Sequence, residues 1–239
     1  MATFFILIET STQACSVAIA QNGVILSELY TEDNKAHSRE LLPYLKKAMA
    51  DNGLNIKDCS AICVSSGPGS YTGLRVGIST AKGLCFGANI PLIGIGTLNG
   101  LAQMAIETVD TNLLDQNTII IPMIDARRME VYSAYFNTKG EQLSEPKAVI
   151  LEEYNYSDLI EKYDHIVLIG DGAAKSESTF TEEQLSKITI IDSKPQAKHL
   201  LALASTKFAN QQFEDIAYFE PFYLKEFIAG VSKKSILGN

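Results

Sequence analysis

The sequence is short of positive charge, of long apolar runs and of metal-binding side chains, and each shortage removes a class of function. Lys and Arg number 20 against 28 Asp and Glu, for a net charge of −8. A protein that grips nucleic acid alone carries a basic stripe, because neutralising phosphates supplies most of the affinity. Here the basic clusters are short, Lys46–Lys47, Arg127–Arg128 and Lys233–Lys234, so the chain by itself is a poor RNA binder. The apolar run from Phe4 to Ile8 follows no basic region and ends in Glu9. It is too short to cross a bilayer and lacks the form of an export signal, so the expectation is a cytoplasmic protein with no membrane attachment. Cys15, Cys59, Cys63 and Cys85 sit among apolar neighbours, and Cys59 and Cys63 have no second pair to complete a zinc site. They read as reduced core residues. His37, His165 and His199 are far apart and form no His-x-x-x-His or His-Glu-x-x-His pair, which leaves a catalytic metal unsupported. No Gly-x-Ser-x-Gly elbow occurs either, and no serine triad can be assembled by spacing.

What is present is an ordinary folding composition, 46% apolar and 20% charged, in a chain long enough to bury a real core. Phe4–Glu9 reads as a strand, Ser16–Gln21 as a second, and Asn22-Gly23 as a hairpin turn into a third at Val24–Tyr30. A helix over His37–Met49 follows, with Leu41, Leu42, Leu45, Ala48 and Met49 on one face and Pro43 placed to kink it. Next come a buried strand at Ala61–Ser66, a glycine-rich turn, a helix from Thr72 to Gly87, a strand at Pro91–Gly96 and a helix at Leu98–Glu107. Then the pattern restarts. Ile119–Asp125 and Met129–Phe136 read as strands, Lys139-Gly140 as a turn, and a third strand is expected from Gln142 onward. Ile8-Glu9 and Asn22-Gly23 recur as Ile124-Asp125 and Lys139-Gly140 at an offset of 116 or 117 residues, nearly half the chain. Two copies at a domain-sized period imply an internal duplication. The expected fold is therefore α/β with two lobes, each a mixed sheet flanked by helices, around a cleft. The boundaries fall at 1–107 and 108–215, and 216–239 is expected to be a tail that packs back on the body.

Two glycine-bearing turns follow strands, where open α/β sheets tend to hold ligands. Gly67-Pro68-Gly69-Ser70-Tyr71-Thr72-Gly73 precedes a helix but lacks the Lys-Ser or Lys-Thr of a phosphate loop, so a tight turn is the better reading. Gly170-Asp171-Gly172 follows the apolar strand Ile166–Ile169. Thr10 and Ser11 after the first strand, with Gly170 and Gly172, are the candidate nucleotide contacts. Glu9 and Asp125 close equivalent strands and are expected to face the cleft, where such acids could orient water or magnesium or simply cap a turn. In the helix after the long motif, Gly73, Gly77 and Ala81 recur every four residues. Glycine inside a helix is costly, so another backbone is expected to come very close. That partner could be the helix at residues 37–49, or the two helices together could form a pair completed by another subunit.

The combination of Ile8-Glu9-Thr10-Ser11, His37-Ser38-Arg39-Glu40-Leu41-Leu42-Pro43, the motif from Gly67 to Gly77, and Asp125-Ala126-Arg127-Arg128-Met129-Glu130-Val131-Tyr132 closely resembles the bacterial TsaB (YeaZ) family. Gly170-Asp171-Gly172 and Pro221-Phe222-Tyr223-Leu224 extend the likeness to the second half. The resemblance implies a duplicated actin/Hsp70-like (ASKHA) fold without the metal-binding histidines of the catalytic relative TsaD. It implies a non-catalytic subunit in making threonylcarbamoyladenosine in tRNA, partnered by a TsaD-like catalytic subunit and a TsaE-like ATPase, and a homodimer when alone. tRNA would be reached only through the complex, and no cofactor would be required, although residual ATP or ADP binding is compatible with the fold. The implied interface uses Ser38, Leu41, Leu42 and Leu45 on one helix and Tyr71, Thr72, Leu74, Arg75, Gly77 and Ile78 on the other. The family's usual Asp after the first strand is Glu9 in this chain.

Overall fold

A computed structural model describes residues 2–33, 36–154 and 156–225. The expected tail residues 226–239, with Lys233–Lys234, lie outside the described residues. The chain opens with the antiparallel strands β1 (Phe4–Glu9), β2 (Cys15–Gln21) and β3 (Val24–Thr31). Asn22 and Gly23 both take left-handed angles in the β2–β3 turn, as a tight hairpin requires. Helix α1 (Ala36–Asp51), strand β4 (Ala61–Gly67), helix α2 (Tyr71–Ala88), strand β5 (Leu92–Gly96) and helix α3 (Thr97–Thr108) complete the first repeat. The sheet order is β3-β2-β1-β4-β5, with β4 and β5 parallel to β1.

The second repeat reproduces this order. Strand β6 (Thr118–Asp125) takes the place of β1; β7 (Glu130–Ser133) and β8 (Phe136–Asn137) together take that of β2, and β9 (Lys147–Ile150) that of β3. Helix α4 (Ser157–Lys162), strand β10 (His165–Ile169), helix α5 (Glu182–Leu185), strand β11 (Ile188–Ile191) and helix α6 (Leu201–Ala209) follow, and the sheet runs β11-β10-β6-β7-β9. The fold is thus a duplicated actin/Hsp70-like α/β fold with two mixed sheets flanked by helices.

Two details differ from the sequence reading. The single strand expected at Met129–Phe136 is broken between β7 and β8, and the break faces the stretch of β6 that contains Pro122. Proline offers no N–H to a ladder, so the partner strand parts there. The third strand begins at Lys147 rather than Gln142, after Pro146, and Gln142 makes only an isolated bridge to Phe136.

Alternation along the central strands buries both faces of each sheet. Ile6 and Ile8 of β1 meet Leu41, Leu45, Ala48, Ile78, Ala81 and Cys85 of α1 and α2. Phe5 and Leu7 point the other way, to Leu200, Leu201 and Ala204 at and before α6. Likewise Ile120 and Ile124 of β6 meet Leu98, Leu101 and Ala105 of α3. The last helix of each repeat therefore packs on the sheet of the other, which ties the two lobes together. Polar links reinforce it: Ala197 N–H donates to Ser16 Oγ at 3.0 Å, and buried His199 pairs through Nδ1 with Glu107 Oε2 at 2.5 Å. All four cysteines are free and buried. Burial pushes the Cys15 and Cys85 thiols up to about 12 and that of Cys59 to about 11, which disfavours the thiolate. Among the described residues, no helix is long and apolar enough to cross a membrane.

Candidate functional site

The turn after β1 is held against α2 by backbone contact. A Cβ on Gly69 would lie 2.2 Å from the Ser11 carbonyl oxygen, one on Gly73 2.1 Å from the Thr10 carbonyl oxygen, and one on Gly77 2.2 Å from Thr10 Oγ1. Glycine every four residues thus forms a flat ridge on which residues 10 and 11 lie. The closest neighbours of these glycines are in this turn, with His37 of α1 next to Gly73 at 3.3 Å. Thr10 Oγ1 donates to the Gly73 carbonyl at 2.9 Å, and Ser70 N–H donates to the Ser11 carbonyl at 2.5 Å. Ser70 also caps α2, its Oγ accepting from Gly73 N–H at 3.2 Å.

This packing decides what the turn can do. Thr10 and Ser11 are fully buried, so neither presents a hydroxyl or an N–H to a ligand phosphate. Gly170 and Gly172 are spent in the same way. A Cβ on Gly170 would lie 2.1 Å from the Met123 carbonyl oxygen, and one on Gly172 2.8 Å from Val131 Cγ1. The four candidate nucleotide residues do not fit a nucleotide as placed: Thr10 and Ser11 pack on α2, and Gly170 packs on the Met123 carbonyl and on Leu101 of α3. Nor does Glu9 face a cleft. It is 1% exposed, Oε1 accepts from Ser11 N–H at 2.6 Å and from Ser65 Oγ–H at 2.9 Å, and Oε2 is buried without a partner. Its counterpart Asp125 is exposed and paired with Lys175.

Burial pushes the Glu9 carboxyl above the usual range, and the bonds from Ser11 and Ser65 pull it only partly back. The folded state then holds this proton more tightly than the unfolded chain. Stability contributed by the protonated acid is present below the ordinary glutamate value and is lost as pH rises through the raised one. Glu9→Gln keeps the Oε1 acceptor and removes the charge, so its stability should fall less than the parent's over that window. Urea titrations at a series of pH values check this; superimposable profiles would contradict it.

The outward faces of α1 and α2 lie side by side, and the residues expected at an interface divide there into buried and exposed sets. Leu41, Leu45, Leu74, Gly77 and Ile78 are buried within this chain. Adjacent leucines on a helix point about 100° apart, and it is Leu42, 55% exposed, that faces out with Ser38. On α2 the outward residues are Thr72, Arg75, Ser79 and Phe86, with Tyr71 half-buried beside them. Phe86, 81% exposed, was missed because one aromatic side chain does not declare its face in sequence.

Residues beyond α6 complete this surface. Phe222 N–H donates to the Ser66 carbonyl at 2.7 Å, and its own carbonyl lies where a Cβ on Gly67 would be, 2.3 Å away. Gly67 has φ +116°, an angle that side-chain-bearing residues rarely adopt. Lys82 Nζ donates to the Phe219 carbonyl at 2.8 Å. Tyr223 stacks on Tyr71 with ring centres 4.7 Å apart, Arg75 lies 3.9 Å over Tyr71, and Arg75 Nε donates to Tyr223 Oη at 3.0 Å. A shallow groove of about 310 Å³ runs between α2 and this segment, lined by Arg75, Ser79, Lys82, Phe219, Glu220 and Tyr223.

The histidines serve structure. His37 Nε2 meets the Ala14 carbonyl at 2.9 Å, His165 Nε2 meets Thr189 Oγ1 at 3.0 Å, and His199 pairs with Glu107. Among the described residues no cluster of three or more His, Cys, Asp or Glu could hold a metal ion.

Fold and site together define a two-lobed actin/Hsp70-like protein whose strand-end turns are packed shut and whose outward helix pair is left open. The sequence model of the family described as TsaD, tRNA N6-adenosine threonylcarbamoyltransferase, matches residues 24–233. The tRNA threonylcarbamoyladenosine biosynthesis protein TsaB of Haemophilus influenzae is 32% identical over 236 residues, covering 91% of this chain and 92% of that protein. TsaB of Escherichia coli K12 is 29% identical over 228 residues, covering 93% and 94%. The solved structure of YeaZ from Pseudomonas aeruginosa superposes with a TM-score of 0.77 at 25% identity, covering 93% of this chain and all of that one. The chain belongs to the TsaB (YeaZ) family, within the wider group that the TsaD model describes.

Proposed function

We propose that this chain acts in tRNA threonylcarbamoyladenosine biosynthesis as a non-catalytic subunit. It docks on a TsaD-like catalytic subunit through the outward faces of α1 and α2 and stabilises that partner's active conformation. The observation that carries the reading is the glycine ridge of α2: it seals Thr10 and Ser11 against the body while leaving Leu42, Arg75 and Phe86 facing solvent. Sealed strand-end turns suit a scaffold better than an independent kinase, whose phosphate contacts must be open. On this reading no cofactor is required. A TsaE-like ATPase joins the assembly, two copies pair through the same face when no partner is present, and the protein works in the cytoplasm. Selective stabilisation of the partner's active state, rather than chemistry in this chain, is the mechanism.

The test is transfer of labelled threonine to tRNA by the other purified pathway enzymes, with and without this chain. Strict dependence on it is expected, together with no heat of ATP–magnesium binding to the isolated chain. Full transfer in its absence removes the subunit role, and a clear calorimetric isotherm for ATP would reopen the kinase reading.

A further inference from the structure

The turn between β6 and β7 carries two consecutive arginines in an unusual backbone state. Arg127 and Arg128 have φ of +69° and +52°, in the left-handed region where residues with a Cβ are strained. Asn or Gly would take these angles more easily. Lys175, partly buried, holds the turn. Its ammonium binds the Asp125 carboxylate, donates to the Arg128 carbonyl at 2.8 Å and reaches the Glu130 carbonyl at 3.4 Å. Asp125 Oδ1 in turn accepts from Arg127 N–H at 2.6 Å. Backbone carbonyls are thereby drawn inward, and both arginine side chains stand exposed.

Two acids flanking the turn are paired with lysines, and Asp171 accepts from Asp125 N–H at 2.9 Å. Asp125 is paired with Lys175 and Glu130 with Lys225. The chain has four arginines: Arg39 pairs with Asp33, and Arg75 stacks on Tyr71. Among the described residues Arg127 and Arg128 have no ion-pair partner, so the turn presents two free guanidinium groups on a protein of net charge −8. Strain retained at a fixed, solvent-facing turn is a mark of function when a better turn residue is available. Guanidinium forks match phosphate oxygens bidentately, and preorganised backbone lowers the cost of that contact.

We propose that the Arg127–Arg128 turn is a phosphate-backbone contact for RNA, engaged when another subunit supplies most of the affinity. The inference rests on the subunit reading above, because an acidic protein with one small basic turn cannot hold RNA by itself. Phosphate contacts of this kind fix register and orientation and carry no sequence preference.

The experiment compares the parent with Arg127→Asn/Arg128→Gly, a pair that fits the left-handed angles and should melt at or above the parent temperature. Each is assembled with the TsaD-like partner, and binding of an unmodified tRNA transcript is measured over a series of potassium chloride concentrations. The variant complex should assemble with unchanged affinity, bind tRNA roughly tenfold more weakly at about 0.1 M salt, and show a log K against log salt slope shallower by about 1.4 to 1.8, the share of two phosphates. Equal tRNA affinity and slope would overturn the proposal and leave the subunit reading intact. Weakened assembly with the partner would also overturn it, because the turn would then be reading carboxylates on a protein. If the parent chain forms no complex, both readings fall.

Discussion

Gly73→Ala is expected to destabilise the protein by more than about 3 kcal/mol, while Gly83→Ala on the same helix is expected to stabilise it. Alanine is worth about 1 kcal/mol over glycine in a helix interior, and at Gly83 nothing opposes that gain, since a Cβ there meets no atom within 4 Å. At Gly73 the same methyl would sit 2.1 Å from the Thr10 carbonyl oxygen, with His37 Cε1 at 3.3 Å. A backbone carbonyl cannot rotate aside as a side chain can. Either α2 lifts from the sheet, exposing Leu74 and Ile78, or the β1–β2 turn moves and breaks the Thr10–Gly73 hydrogen bond. Both routes open the core shared by β1, α1 and α2. Urea midpoints at unchanged slope read the difference directly. A Gly73→Ala protein within 1 kcal/mol of the parent would mean that the ridge is loosely packed, and the sealed-turn argument for function would lose its support. Gly77→Leu, whose Cβ would lie 2.2 Å from Thr10 Oγ1, is expected to fail for the same reason and so cannot report on an interface.

What was legible in the sequence was whatever local chemistry determines. Asn22-Gly23 could hardly be anything but a hairpin turn, and the recurrence of Ile-acid-turn-strand gave both the duplication and the two equivalent sheets. The glycine spacing in α2 correctly announced a close backbone, because the cost of glycine in a helix must be offset somewhere, but spacing alone does not say which backbone. The exchanged positions of α3 and α6 were hidden, since an amphipathic helix states that one face is buried and not against which sheet. The same limit hid which of the α1 leucines face outward. Leu41, Leu42 and Leu45 are all leucine, and only packing against Ile6 and Ile8 separates the buried two from the exposed one. Arg75 could be placed on a flank of α2, but its partner Tyr223 lies 148 residues away and no periodicity links them.

The difference in exposure yields a sharp contrast between two leucines three residues apart. Leu42→Glu should leave the melting temperature within about 2 °C of the parent and weaken binding to a TsaD-like partner by at least about 30-fold, the effect of losing one central hot spot. Leu45→Glu should instead unfold the protein. Leu45 is 3% exposed within the core beneath α1, and a carboxylate there would be desolvated with no cation beside it. On the proposed docking mode, Arg75 is the second contact point. Removing its guanidinium by Arg75→Ala deletes both the stack on Tyr71 and the bond to Tyr223, so the arrangement of residues 219–225 should loosen as well. A double-mutant cycle of Arg75→Ala with Tyr223→Phe, read as partner affinity, separates the two contributions. If the tyrosine hydroxyl fixes the guanidinium for docking, Tyr223→Phe weakens binding in the parent background and has no effect once Arg75 is alanine. Additive losses would mean that Tyr223 meets the partner independently. Unchanged affinity in Leu42→Glu and Arg75→Ala alike, with both proteins folded, would move the docking surface off the α1–α2 face altogether.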